Sequence, residues 1–226
     1  VNGMLSDEIM GDIKRVADPH HAETTARYVK TSTLTFLGLT VSQIDRITKE
    51  HIRGVSPNDL PPVMNSLWET ATYEGRLAAV SAMKRYAKTS DIDRTLSIIS
   101  AWVDNLDTWA VLDPLAIYCV GTLLVRDSHI AATLVDWGRS GNFWRRRASM
   151  LPYILLCRKE FYREEYADTI LAVLKPHLPD RELFVQKAVG WVLRELSKRD
   201  PIRVRSFIIG NRTMMARLTA REGERN

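Results

Sequence analysis

Helix start signals recur along the whole chain, whereas alternating β-branched runs closed by Asn-Gly or Asp-Gly turns, the marks of strands, are nearly missing. Thr40-Val41-Ser42-Gln43 fits a capping box, and Ser56-Pro57-Asn58-Asp59 sets a hydroxyl before a proline at a first helical position. Ser90-Asp91-Ile92-Asp93 places carboxylates at the positive end of a helix dipole. Beyond that start, Ile92, Leu96, Ile99, Trp102 and Val103 recur at spacings of three and four and form one buried stripe. The pattern predicts helices over 5–17, 20–31, 41–53, 57–70, 74–88, 91–104, 108–126, 128–139, 142–157, 163–175, 180–199 and 201–209. With short loops and a pairing period of ~35 to 40 residues, these helices predict an all-α fold, an α-solenoid of stacked antiparallel helix pairs with a concave face for an extended ligand.

Composition narrows the class. A chain of 226 residues, 45% apolar and 26% charged, fits a single globular domain over 1–226. Val1-Asn2-Gly3 ahead of Met4 reads as a remnant before the native start (1–4), and 210–226 as a frayed tail. The longest nearly uncharged apolar stretch, Leu115 to Val125, is about 11 residues, while crossing a bilayer as a helix takes about 20, so no membrane span is expected. Cys119 and Cys157, the two cysteines, lie in apolar stretches and support neither a disulfide framework nor a Cys-rich zinc site. That points to a reducing, cytoplasmic compartment, at the nucleoid if the cell is bacterial.

The net charge of +5 is unevenly distributed: residues 1–113 carry 12 Lys and Arg against 15 Asp and Glu, and residues 114–226 carry 20 against 12. Of the 32 cations 23 are Arg, whose planar fork suits phosphate and flat rings better than Lys does. An anionic partner such as nucleic acid is favoured, against the plainer reading of a generally Arg-rich surface.

Trp68, Trp102, Trp137 and Trp191 fall on predicted helices, where packing between neighbouring hairpins is the ordinary role of an indole. Helix 180–199 is different. Val185, Val189, Val192 and Leu196 form its core face, while Lys187, Trp191, Arg194 and Lys198, at i, i+4, i+7 and i+11, set a tryptophan inside a basic stripe. Such a stripe can grip a phosphate backbone and present a flat ring to a base or sugar, or simply be a boundary tryptophan among snorkelling cations.

The run FVQKAVGWVLRELSKRDP, with NFWRRRAS at 142–149, TWAVLD at 108–113 and ARYVKTSTLTFLGL at 26–39, resembles the AlkD-like DNA alkylation repair glycosylases, proteins of HEAT-like repeats. The resemblance runs from about residue 8 to 209, in order. It implies a monofunctional glycosylase that hydrolyses the N-glycosidic bond of positively charged alkylpurines, 7-methylguanine and 3-methyladenine, in duplex DNA. By the same resemblance Asp113 is the catalytic carboxylate and Trp109 and Trp191 the rings flanking the cationic nucleoside. Arg147 contacts DNA near the lesion, beside Arg145 and Arg146, and Lys187, Arg194 and Lys198 belong to a backbone-binding helix. A shallow cleft, no cofactor and a monomer are expected. Thr108 stands where some members have a further tryptophan, and Pro114 follows Asp113 directly, so Asp113 is also readable as the N-cap of a helix starting at Pro114.

Adjacent His20 and His21 point about 100° apart on a helix and lack a third ligand, so no metal is expected. Glu164-Glu165 reads as a solvated face, and phosphate loops, dinucleotide fingerprints and the HExxH and GxSxG motifs are absent. Two other readings stand beside the glycosylase: a DNA-binding relative without catalysis, and a protein-interaction scaffold.

Overall fold

The computed structural model describes residues 2–215. Among them the regular structure is helical, relieved by one isolated parallel bridge between Thr35 and Thr72. The all-α fold of successive helix pairs expected from the punctuation is present, and it divides into two compact units, one formed by Val1–Ser100 with Asn105–Leu115 and the other by Ala101–Asp104 with Ala116–Asn226.

The first unit contains α1 (Asn2–Arg15), α2 (Pro19–Val29), α3 (Val41–Ile52), α4 (Leu60–Glu69), α5 (Tyr73–Tyr86), most of α6 (Ile92–Asp104) and α7 (Trp109–Pro114). Its centre is α5, which packs on α3, α4 and α7 and is buried along most of its length. The capping box is formed: Thr40 Oγ1 accepts from the Gln43 amide at 3.2 Å and Gln43 Oε1 from the Thr40 amide at 2.8 Å. Asp91 rather than Ser90 caps α6, accepting from the Arg94 amide at 2.8 Å, and Ser90 instead bonds the Thr95 hydroxyl at 2.6 Å. Ser56 caps nothing; Pro57–Asp59 forms a 3-10 turn, and α4 starts three residues later than Pro57 suggested, with Pro61 and Pro62 in the turn that needs no donors.

Between α2 and α3 the chain runs without a helix, and its polar backbone is satisfied piece by piece. Thr35 donates to the Ala71 carbonyl and accepts from the Tyr73 amide. Phe36 stacks on Tyr73 at 4.9 Å. The amides of Leu37, Gly38 and Leu39 donate to the carboxylate of Glu74, at 2.9, 2.8 and 3.3 Å, and Glu74 is fully buried. Gly38 has φ 94°, and a Cβ there would lie 1.9 Å from the Asp18 carbonyl oxygen, so only glycine fits.

The second unit holds α8 (Gly121–Arg126), α9 (Ala131–Gly138), α10 (Phe143–Met150), α11 (Tyr153–Leu156), α12 (Tyr166–Leu174), α13 (Leu183–Ser197) and α14 (Pro201–Asn211). α13 is its spine, packing on α10, α11, α12 and α14. Its core face is the expected one, with Val185, Val189, Val192 and Leu196 fully buried. The helix expected over 142–157 is broken after Met150, since Pro152 supplies no amide to continue the ladder. Residues 216–226, most of the expected tail, and Val1 of the expected leader lie outside the described residues; α1 begins at Asn2.

The apolar stretch near 115–125 lies within one continuous helix, Trp109–Arg126, close to the helix expected over 108–126, and that helix is long and apolar enough by length and composition to cross a membrane. Val111, Leu112, Leu115, Cys119, Val120 and Leu123 on it are fully buried, so its apolarity is that of a core helix.

Glu74→Ala removes the acceptor for three amides and should cost about 2 to 5 kcal/mol, read as a lower midpoint in urea unfolding. Gly38→Ala, against both a blocked Cβ and a left-handed backbone, should be comparably severe.

Candidate nucleic-acid interface

Of the six tryptophans, Trp68, Trp102, Trp137 and Trp144 are buried at 4–7% exposure, whereas Trp109 and Trp191 are half-buried. Burial thus separates packing indoles from those that keep a face to solvent.

In the first unit, Thr108 is fully buried and caps α7, its Oγ1 accepting from the Ala110 amide at 3.2 Å. Trp109 is therefore the first helical residue and Asp113 lies one turn on, along the same side of the helix. The N-cap reading of Asp113 is not realised: α7 has already begun at Trp109, and Asp113 is inside it, 8% exposed. Pro114, also inside the helix, offers no amide to the Ala110 carbonyl, and Leu115–Val120 widens into a π-helix. Tyr28, near the end of α2 and 72% exposed, meets Trp109 edge to face with ring centroids 5.6 Å apart. Nothing in the spacing of the sequence joined Tyr28 to Trp109, because their meeting depends on how α2 and α7 pack.

In the second unit, Asn142 caps α10, accepting from the Trp144 amide at 2.9 Å, and sends three consecutive arginines in three directions. Arg145 makes a two-pronged pair with Asp104, at 2.6 Å on each prong. That pairing holds Asp104 below its ordinary range and Arg145 above its own. Arg146 pairs with Asp180 at 2.8 Å and donates to the carbonyls of Ser140 and Gly141. Burial works to raise the Asp180 carboxyl, but the Arg146 hydrogen bond, the Glu182 amide and the neighbouring positive charges outweigh it and lower it. Arg147 is 4% exposed and donates to the Phe184 carbonyl.

Each of the three arginines expected to contact DNA thus has a partner within the protein. Each is held inside its own unit, and Arg147 in particular ties α10 to the start of α13. Neither the resemblance nor the charge density behind the expectation shows which cations have carboxylate or carbonyl partners within the protein.

The α13 stripe keeps more of its outward character. Lys187 is exposed, its ammonium 5.8 Å from the centre of the Phe184 ring. Trp191 and Arg194 are half-buried, and Lys198 is exposed and paired with Glu195 at 2.8 Å. Among the described residues no three His, Cys, Asp or Glu side chains gather as a metal site.

The match to a family model described as DNA alkylation repair enzyme spans residues 9–226, and the chain belongs to that family. Among solved structures it is similar to an Enterococcus faecalis protein described as a predicted DNA alkylation repair enzyme, at TM-score 0.79 and 20% identity over 92% of this chain and 95% of that one. It is also similar to AlkD2 from Streptococcus mutans, at TM-score 0.65 and 18% identity over 88% and 94%. No curated protein matches the chain by sequence.

Arg147→Ala should lower stability by about 1 to 3 kcal/mol, since it removes the tie between α10 and the start of α13 and vacates buried volume, and thermal melting reads that loss. His177 is 5% exposed, and burial lowers its imidazole below 6.5, against the charge of Asp180 and with that of Arg146. The unfolded chain therefore binds this proton more readily than the folded one, so the contribution is whole above pH 6.5 and lost as pH falls below it. Melting followed between about pH 7.5 and about pH 5.5 should show a fall that His177→Gln flattens.

Proposed function

We propose that the chain is a monofunctional DNA glycosylase acting on cationic alkylpurines in duplex DNA. The observation that carries this reading is the pairing on α7 of a half-exposed indole, Trp109, with a carboxylate one turn away, Asp113, in a chain of the DNA alkylation repair family. A purine alkylated at N3 or N7 is positively charged, so when the C1′–N bond breaks the base leaves neutral, taking the bonding electron pair, and needs no general acid. Positive charge then develops on the deoxyribose. A carboxylate in Asp113's mostly buried position acts through little screening solvent and stabilises that charge more in the transition state than in the ground state. Water adds at C1′ and gives up a proton, leaving free base and an abasic sugar.

Trp109 supplies a ring face that attracts a cationic base by about 0.5 to 2 kcal/mol when partly desolvated, an attraction a neutral base lacks, and Trp191 on α13 is a second half-buried ring of the same chemistry. Lys187, Arg194 and Lys198 are the proposed backbone contacts, and the Arg145–Arg147 run ties α10 to Asp104, to Asp180 and to the start of α13.

Base release from methylated duplex under single-turnover conditions tests the reading. Asp113→Asn, which keeps shape and removes charge, should slow release by ~10- to 1,000-fold with DNA affinity nearly unchanged. Wild-type release no faster than spontaneous depurination would leave a DNA-binding protein without catalysis. With about three phosphate contacts from α13, log affinity for undamaged duplex should fall with log salt at a slope near −3, flattened by about one unit in Lys187→Ala. An affinity indifferent to salt would remove DNA as the partner.

A further inference from the structure

The loop that leads into α7 is held by contacts that neither capping nor core packing requires. The Asp107 carboxylate accepts from the Ser32 hydroxyl at 2.8 Å, the Thr33 amide at 2.6 Å and the Thr33 hydroxyl at 2.9 Å, groups more than 70 residues away in sequence. Ser32 Oγ in turn accepts from the Leu34 amide at 3.1 Å, which makes a compact knot around one carboxylate. Two residues before Asp107, the Asn105 carbonyl accepts from Arg76 at 2.8 Å, and Arg76 itself lies over the Trp68 ring at 4.6 Å. Burial lowers the Arg76 guanidinium from its ordinary value, and the charge of Asp107 works against that lowering.

What this knot joins is specific. On one side stands the end of α2, where Lys30 has φ 63°, a left-handed conformation that a non-glycine residue adopts only at a cost. Two residues before Lys30 is Tyr28. On the other side, two residues after Asp107, is Trp109. Tyr28 and Trp109 are the rings that meet edge to face at 5.6 Å. Tyr28 is too exposed for burial to fix its place, so the backbone on both sides must do so.

We propose that Asp107 is a positioning residue of the lesion site: by clamping the Ser32–Thr33 turn to the entry of α7, it sets the mutual orientation of Tyr28 and Trp109, and so the face that Trp109 offers to a cationic base. The role rests on the glycosylase reading, but the geometry it asserts is measurable without turnover. Asp107→Asn keeps the size of the side chain while turning one acceptor atom into a donor that faces donors, and Thr33→Val removes one hydroxyl and leaves the carboxylate in place.

The test uses the full chain labelled with 5-fluorotryptophan, whose fluorine spectrum carries one resonance for each of the six tryptophans, with Trp109 assigned through Trp109→Phe. In Asp107→Asn the Trp109 resonance should shift or broaden while the other five hold position, and Thr33→Val should give the same change at smaller size. In single-turnover assays of 7-methylguanine release, Asp107→Asn should lower the chemical step by about 10-fold with duplex affinity little changed. That loss should disappear in the Trp109→Ala background, because a group acting through Trp109 has nothing left to position.

An unmoved Trp109 resonance overturns the proposal, as does movement of all six together or a rate loss that persists undiminished without Trp109. If wild type releases no base, the glycosylase reading fails, and the fluorine spectrum still decides whether Asp107 sets Trp109.

Discussion

The first unit depends on the disposal of backbone polar groups in its one long non-helical passage, between α2 and α3. Helices satisfy their own amides, but an amide that leaves water without an acceptor costs about 1 to 3 kcal/mol, and this passage presents several that no helix serves, buried at Gly38 and Leu39 and nearer solvent at Thr33 and Thr35. Glu74 answers three of them from the first turn of α5, the Thr35 bridge pairs two backbone groups beside it, and Asp107 answers another from the entry to α7. The acceptors come from the beginnings of two different helices, so satisfying the passage also fixes where those helices start relative to α2. Gly38 permits the close approach to Asp18, which caps α2 through the amides of His20 and His21, and so the same passage reaches back to the helix before it.

The basic half of the chain makes a related point about charge. Arg145, Arg146 and Arg147 follow one another on a single helical turn, yet they reach Asp104, Asp180 and the Phe184 carbonyl. Consecutive residues on a helix point about 100° apart, and three long side chains so divided can join three neighbouring elements better than they can line one surface. Arginine suits this, because its fork makes two bonds in fixed geometry, as it does on Asp104. Net charge therefore overstates the surface free to meet an anion, and the α13 stripe, with Lys187 exposed at its start, is the better measure of it.

How much of this was readable in the sequence follows from the range of each interaction. Helices and their faces were, because capping and periodicity act within one or two turns: the Thr40 box and the α13 core face were found as expected. The separation of packing from exposed tryptophans was readable only in part. Trp191 betrayed itself by the cations around it, but Trp109 was singled out by resemblance and not by pattern. Glu74, Asp107 and Tyr28 could not be found at all, since a carboxylate bonded to amides 35 to 37 or 74 positions away leaves no local trace. Pro114 misled in one respect: a proline is a common first residue of a helix, and here it sits inside one, its missing amide absorbed by a change of helical pitch.

That change of pitch bears on the chemistry. Across Trp109–Val120 a single helix carries a mostly buried carboxylate, a proline and a π-helical stretch, each of which lowers stability compared with the regular apolar helix that the same burial would allow. Nothing about packing Val111, Leu112 and Leu115 requires any of the three. Features that cost stability and cluster within a few residues of one another are expected where the fold serves a site rather than itself. The cost and the benefit have the same origin: enclosure that makes a carboxylate expensive to bury also removes the water that would screen it from a positive charge forming at its edge. An aspartate at an exposed position of the same helix would be cheaper to fold and weaker in its pull, which is a physical reason for Asp113 to lie within the helix, one turn below an indole that still reaches solvent.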